Sequence, residues 1–373
     1  MKGTNAFRSL VLTQVFAACV ALGGGAGAAE DILDAKLAEV DPADGTQWYD
    51  ISRLHVEGRG WTDTKAPYDR LPAKAEGVVG DSWGLSRHSA GMCVRFVTDS
   101  QKVQARWTLT SGSLSMPHMA ATGVSGVDLY ARAKDGGWQY RGTGRPGGLQ
   151  NTATLAGSSA GARIEYMLYL PLYNGTARAE VGVAKGAVLG NAPARSQPEK
   201  QLVFYGSSIA QGGCASRPGM AYPAILGRRL DRPAINLGFS GCGKLEPPMA
   251  DLLAELDPAV FVIECWPNIP AGVIAERFGP FITKVAKAHA GTPIVILEEP
   301  GDPSAESEKN RVLRRGVEEL RAAGIRNLRL VGGHQQLGAD GEGTVDGCHP
   351  TDLGFVRMAD ALEPVLRDAL KGS

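Results

Sequence analysis

The sequence predicts two domains of different rhythm. An antiparallel β-sandwich or jelly roll is expected over residues 45–185, then a doubly wound parallel α/β domain over 201–373. Three observations predict this. The first half alternates apolar and polar side chains in short runs closed by turn residues, the period of a half-buried strand. The second half alternates short apolar runs with helical stretches, the pattern of strand–helix–strand units. A length of 373 residues suits two domains with substantial cores.

Taken in order, the first half offers alternating runs at 103–109, 126–132, 138–140, 162–170 and 177–183. Asp135-Gly136-Gly137 supplies a turn between two of them. Residues 186–200, rich in Gly, Ala, Pro and charge, read as a linker. After Lys200, apolar runs at 202–205, 234–237, 260–264, 294–297 and 328–331 read as five buried strands. Stretches at 222–230, 271–290 and 308–323 read as helices between them. In such a sheet the ligand crevice lies outside the carboxyl ends of the strands. The residues that follow each strand are therefore the candidates for chemistry.

The chain carries 39 basic and 39 acidic residues. That balance lacks the basic field of a nucleic-acid or anionic-membrane binder, so neither partner is expected. The N-terminus has its own signature. Lys2 and Arg8 precede an apolar stretch over 10–22, followed by Gly23-Gly24-Gly25-Ala26-Gly27-Ala28. This is the layout of a cleaved signal peptide over residues 1–28, and it predicts export to a periplasmic or extracellular space. The stretch is shorter than the roughly 20 residues a spanning helix needs. Phe16-Ala17-Ala18-Cys19 also lacks the branched aliphatic that precedes a lipidated cysteine. Residues 1–28 hold two basic and no acidic side chains, so the remainder carries 37 basic against 39 acidic residues, a net charge of −2. Cys93, Cys214, Cys242, Cys265 and Cys348 would remain after cleavage. An odd set permits at most two disulfides, and a bridge among Cys214, Cys242 and Cys348 and a set of buried thiols both fit. With no CxxC pair or clustered His/Cys spacing, neither a metal nor a cofactor is expected.

Four segments carry candidate chemistry. Gly206-Ser207-Ser208-Ile209 follows the first strand of the second half, where Ser208 would expose its hydroxyl in the crevice. Gly238-Phe239-Ser240-Gly241-Cys242-Gly243 follows the second, and a glycine-rich segment there can bring a backbone N–H to a reacting oxygen. Asn268 follows the third and can offer its side-chain N–H₂ to the same oxygen. Asp346-Gly347-Cys348-His349 precedes the last helix, so Asp346 could orient the imidazole of His349 toward Ser208. Each segment would also serve as an ordinary turn. Their consistent order along the chain is what points to acyl transfer. Glu298-Glu299 closes the fourth strand without a companion pattern for glycosidase chemistry, and a helix-linked role is expected for it.

Gly206-Ser207-Ser208-Ile209, Gly241, Asn268 and Asp346-x-x-His349 together resemble the SGNH hydrolases, the GDSL-type esterases and lipases, over about residues 200–370. The resemblance implies a flavodoxin-like five-stranded sheet, with Ser208 as nucleophile, His349 as base and Asp346 as its orienter. It further implies an oxyanion hole from Ser208 N–H, Gly241 N–H and Asn268. Two positions depart from the family pattern: Ser207 stands where the family has aspartate, and Trp266-Pro267-Asn268-Ile269 replaces Gly-x-Asn-Asp. The first half resembles the accessory β-domain named for Gly-x-Asp-Leu-Tyr, at Gly126 to Tyr130. There Leu129 is expected in the core and Asp128 in turn or sheet-edge hydrogen bonding. His118 could reach a domain interface near the crevice, and a structural role is the stronger expectation. Arg217 could hold a polar or anionic substrate or serve equally as a surface or salt-bridged residue, and Trp266 is expected as a pocket wall, with packing in the core the alternative. The expected function is an exported serine esterase for short acyl groups, acetyl on carbohydrate foremost, acting on a small-molecule or glycan ester. An acyltransferase using the same residues, and a glycan-binding protein on a hydrolase scaffold, are the rival expectations.

Overall fold

The computed structural model describes residues 31–157, 161–195, 200–301 and 307–372; the expected signal peptide over 1–28 lies outside them. The first half folds as two facing antiparallel sheets. One runs Glu39–Val40, Gln47–Asp50, Thr176–Val183, Lys102–Leu109, Gln150–Gly157 across the sheet. The other runs Leu189–Asn191, Cys93–Thr98, Ile164–Tyr169, Val127–Arg132, Trp138–Gly144, with Val56–Glu57 added on Cys93–Thr98. Period-two patterning explains the layering. Along Lys102–Leu109, Val103, Ala105, Trp107 and Leu109 enter the core while Arg106 stays outside. Leu129 is fully buried in the same core, beside Phe96, Leu168 and Val181. Each such large side chain contributes about 1.5–3 kcal/mol by leaving water. Leu189–Asn191 falls inside the stretch expected as linker, yet it pairs antiparallel with Cys93–Thr98. Leu189 is apolar enough to be drawn into the sandwich core, so the first half continues through it.

The second half is a parallel five-stranded sheet in the order Ala234–Gly238, Gln201–Gly206, Pro258–Glu264, Ile294–Leu297, Leu328–Val331. Its strands are buried on both faces because helices cover both. Tyr222–Arg229 and Asp352–Ala369 pack on the face that carries Phe204, Val262 and Val295. Pro247–Leu253, Ala271–Ala288 and Glu308–Ala322 pack on the face that carries Tyr205, Phe261 and Ile296. The chain order reverses between Gln201–Gly206 and Pro258–Glu264, which opens a crevice at their carboxyl ends. No described helix is long and apolar enough to cross a membrane.

The two halves are joined by apolar and polar contacts. The outer face of the second sandwich sheet, through Cys93, Tyr130, Met167 and Tyr169, packs on Ala224 of helix Tyr222–Arg229. Arg70, wholly buried, reaches from the first half to the carbonyls of Asn236 at 3.1 Å and Gly238 at 2.6 Å. It also donates to the carbonyls of His88 and Leu85. The first half thereby grips the end of the strand that carries the glycine-rich loop.

Candidate active site

Gly206 closes the first parallel strand where a side chain has no room: a Cβ there would sit 2.2 Å from the Glu264 carbonyl oxygen. Ser207 then caps a short helix, Ser208–Gln211, by accepting from Ile209 N–H at 3.1 Å. The same hydroxyl donates to both carboxyl oxygens of Glu264, at 3.0 and 2.9 Å. One serine thus caps the helix and ties the turn to the end of the neighbouring strand. Glu264 is fully buried, and burial pushes its carboxyl up to about 8 against the pull of the Ser207 hydrogen bonds. It holds its proton at neutral pH. Ser208 is the first residue of the helix, 5 % exposed, and its N–H is one of the donors a helix start leaves without an intrahelical partner.

Ser208 Oγ lies 2.9 Å from His349 Nε2. His349 Nδ1 lies 2.8 Å from Asp346 Oδ2, so the ring that donates there presents Nε2 as an acceptor to the serine hydroxyl. The loop builds this locally. Gly347 takes a φ of +86°, which folds the chain back so that Asp346 Oδ1 accepts from His349 N–H at 2.8 Å and Cys348 N–H at 3.0 Å. The backbone bond from His349, followed by the imidazole, holds the Asp346 carboxyl down at about 2. Asp346 is therefore ionised wherever the imidazole needs it.

Gly241 adopts a φ of +69° in the loop after Ala234–Gly238, with open space where a Cβ would stand. Among the described residues its N–H finds no acceptor, while the next two N–H groups both donate to the Phe239 carbonyl. Asn268 ends the short helix Trp266–Asn268 and donates through Nδ2 to Phe239 O at 3.3 Å and Gly243 O at 3.2 Å. Both bonds are long, and both reach the loop that carries Gly241. Gln211 steadies that loop from the other side: its Oε1 accepts from Ser240 N–H at 3.0 Å, and its Nε2 bonds to Leu172 O at 3.1 Å and His88 Nδ1 at 3.2 Å. Burial lowers His88 to about 4, so it stays neutral there.

Ser208, His349 and Asp346 thus meet in one chain of hydrogen bonds, and Asn268 is tied through its side chain to the loop that carries Gly241. Arg217 and Trp266 do not join them. The Arg217 guanidinium is committed to the first half, pairing with Asp128 Oδ2 at 2.6 Å, touching Tyr130 OH and stacking on Tyr140 at 4.1 Å. Asp128 is wholly buried and demands a cation, which outweighs any pull from the crevice. Trp266 is core rather than pocket wall. It is fully buried edge-on against Phe278 at 5.9 Å, and its indole N–H donates to the Leu297 carbonyl. The apolar space under helix Ala271–Ala288 gains more from burying the ring than the crevice would. Glu298 and Glu299 pair with Arg314 and Lys309 of helix Glu308–Ala322. All five cysteines among the described residues are free thiols.

Three residues near the serine escaped attention or received another role in the sequence. Glu264 had one signal, a carboxylate closing an otherwise apolar strand. Tyr173 donates to the Ser208 carbonyl at 3.1 Å, and His118 sets its ring 5.5 Å from that of His349. Both come from the first half: His118 reaches the seam near the crevice, the alternative raised for it, whereas no local pattern announces the contact of Tyr173.

Residues 199–367 match the GDSL-like Lipase/Acylhydrolase family, and residues 46–189 match the N-terminus of the SGNH-hydrolase-type esterases. A crystal structure from Bacteroides ovatus, described as a GDSL-like lipase, is 33% identical with a TM-score of 0.81, over 88% of this chain and 99% of that one. The salicylyl-acyltransferase SsfX3 of a tetracycline biosynthetic pathway shares the fold at 19% identity and a TM-score of 0.69, over 90% of this chain and 98% of that one. So does the acetyl xylan esterase Est2A of the rumen bacterium Butyrivibrio proteoclasticus, at 15% identity and 0.56, over 88% and 100%. No curated protein sequence matches the chain.

Proposed function

The chain belongs to the GDSL-like lipase/acylhydrolase family, and from that premise we propose an exported serine esterase that removes short acyl groups, acetyl foremost, from carbohydrate. The observation that carries the proposal is the relay from Ser208 Oγ through His349 to Asp346, at 2.9 and 2.8 Å. Ser208 Oγ attacks the acyl carbonyl as His349 Nε2 takes its proton, and Asp346 steadies the imidazolium. The N–H groups of Ser208 and Gly241 and the side-chain N–H₂ of Asn268 receive the oxyanion. His349 then protonates the departing alcohol, leaving an acyl-enzyme. Water, deprotonated by the same imidazole, releases the acid and restores Ser208. The low exposure of Ser208 favours a small acyl group. The signal-peptide pattern over 1–28 supports export.

Hydrolysis of p-nitrophenyl acetate, butyrate and octanoate tests this. Rates should fall steeply with chain length, and Ser208→Ala should lose on the order of 10³-fold or more in kcat. Octanoate turned over as fast as acetate would sink the short-acyl specificity. Full activity in Ser208→Ala would sink the assignment of the nucleophile. Acetyl release from acetylated xylan, with acceptor alcohols added and products identified, separates transfer to water from transfer to an alcohol.

A further inference from the structure

Cys214 lies in the loop after the proposed nucleophile, between Gly213 and Ala215, and takes a left-handed backbone φ of +71°. Its thiol is buried and has no hydrogen-bond partner among the described residues. His118 comes from the turn closed by Met116 and Met119 in the first half and is exposed. His349 comes from the loop before the last helix. One ligand atom from each of these three residues lies within 4.8 Å of the other two. His349 Nδ1 is already bonded to Asp346 Oδ2, so the ligand atom left to His349 is Nε2, the atom that meets Ser208 Oγ at 2.9 Å.

We propose that His118, Cys214 and His349 bind a thiophilic divalent cation, Zn²⁺ by the chemistry of the set, and that the bound ion inhibits the esterase. Two imidazoles and one thiolate are a borderline-soft donor set suited to Zn²⁺, with a fourth position open to water. A carboxylate behind a ligating histidine is the arrangement that orients an imidazole toward a metal, and Asp346 already stands there. Tetrahedral coordination needs ligand atoms roughly 3.5 Å apart, so the three must draw in slightly. His118, exposed on a turn that Met119 anchors in the core, can do so by a change of side-chain rotamer. Binding balances simply: the Cys214 S–H bond breaks, a Zn–S bond forms and one proton leaves to solvent. Burial raises the thiol to about 11, so the ion rather than the bulk pH must drive that proton off. His349 Nε2 cannot accept the Ser208 proton and ligate the cation together, so inhibition should compete with catalysis at one atom.

This inference rests on His349 as the base, and the binding readout is kept separate from turnover. Full-length protein titrated with Co²⁺ should develop a thiolate-to-cobalt charge-transfer band, absent in Cys214→Ser and weakened in His118→Ala. Ser208→Ala should keep the band although it has no turnover. Zn²⁺ should inhibit p-nitrophenyl acetate hydrolysis reversibly, with EDTA restoring the rate. The inhibition constant should weaken at least tenfold in Cys214→Ser and in His118→Ala, while their metal-free rates stay near wild type. A band in a wild type that shows no esterase activity would support the metal site and count against the proposed esterase. No thiolate band, or equal Zn²⁺ sensitivity in wild type and both variants, would overturn the inference.

Discussion

Two carboxyl groups flank the proposed nucleophile, and their surroundings drive them in opposite directions. Asp346 is 39 % exposed, accepts two backbone N–H groups and an imidazole, and is held ionised. Glu264 is fully buried, receives the Ser207 hydroxyl, and is held protonated near neutrality. The difference lies in desolvation: both carboxyls receive hydroxyl, imidazole or backbone N–H donors, but Asp346 also keeps contact with water, whereas the closed sheet end strips it from Glu264 and the donors from Ser207 and Ala210 do not make up the loss. One carboxylate can therefore steady a developing imidazolium. The other acts as a neutral hydrogen-bonding tie, linking the nucleophile turn to the adjacent strand where the family's aspartate is replaced by Ser207.

The largest expected effect tests the exposed side of this comparison. His349→Ala should lower kcat/KM on the order of 10³–10⁴-fold. Asp346→Asn should cost less, roughly 10²-fold, because solvent already shares in stabilising the imidazolium. Equal losses would mean that exposure does not weaken Asp346, and the contrast with a buried carboxyl would lose its force.

The buried side is tested by stability. Glu264→Ala leaves the Ser207 hydroxyl without its acceptor and opens a void, and should cost about 2–4 kcal/mol in urea unfolding. Glu264→Gln keeps the size and the hydrogen bonding without the ionisable proton. The folded-state value of Glu264 stands above its unfolded value near 4.5, so its contribution is complete below about pH 4.5 and is lost as pH rises through about 8. The Tm difference between Glu264→Gln and wild type should therefore move in favour of the variant from pH 5 to pH 9. A difference that stays constant with pH would show that Glu264 does not titrate in that window. His88 has the opposite sign. Its folded value near 4 lies below 6.5, so stability should fall as pH drops from about 6.5 to 4, and His88→Gln should remove that loss.

A smaller effect is expected at the seam between the halves. Arg217→Ala strands the buried Asp128, yet the guanidinium is 20 % exposed and Gly219 N–H and Thr143 still donate to the carboxylate. A loss of about 2–3 kcal/mol in stability is expected, with KM for p-nitrophenyl acetate unchanged. A KM that rises while stability holds would return Arg217 to the substrate. The smallest effect belongs to Gly241→Ala: its Cβ meets open space, so only the left-handed backbone resists, at about 1–2 kcal/mol.

The sequence by itself determined whatever rests on local periodicity. Two-residue alternation marked five of the sandwich strands but missed others, among them Cys93–Thr98, which is buried on both faces and shows no alternation. Short apolar runs marked the parallel sheet, and Gly206, Ser208 and the Asp346–His349 turn sat where such a sheet opens its crevice. These features depend on contacts between residues near in the chain, or on one face needing to be dry, and both leave a pattern in the residues. Only the tertiary structure decided the contacts across the seam and those deep inside each half. It committed Arg217 to Asp128, drew Trp266 under helix Ala271–Ala288, and extended the sandwich through Leu189–Asn191. It also set Tyr173 on the Ser208 carbonyl and His118 beside His349. A side chain with both a polar end and a large apolar body goes where burial and pairing together are most favourable. That choice is made by neighbours from other elements of the fold, and it leaves no period for the sequence to show.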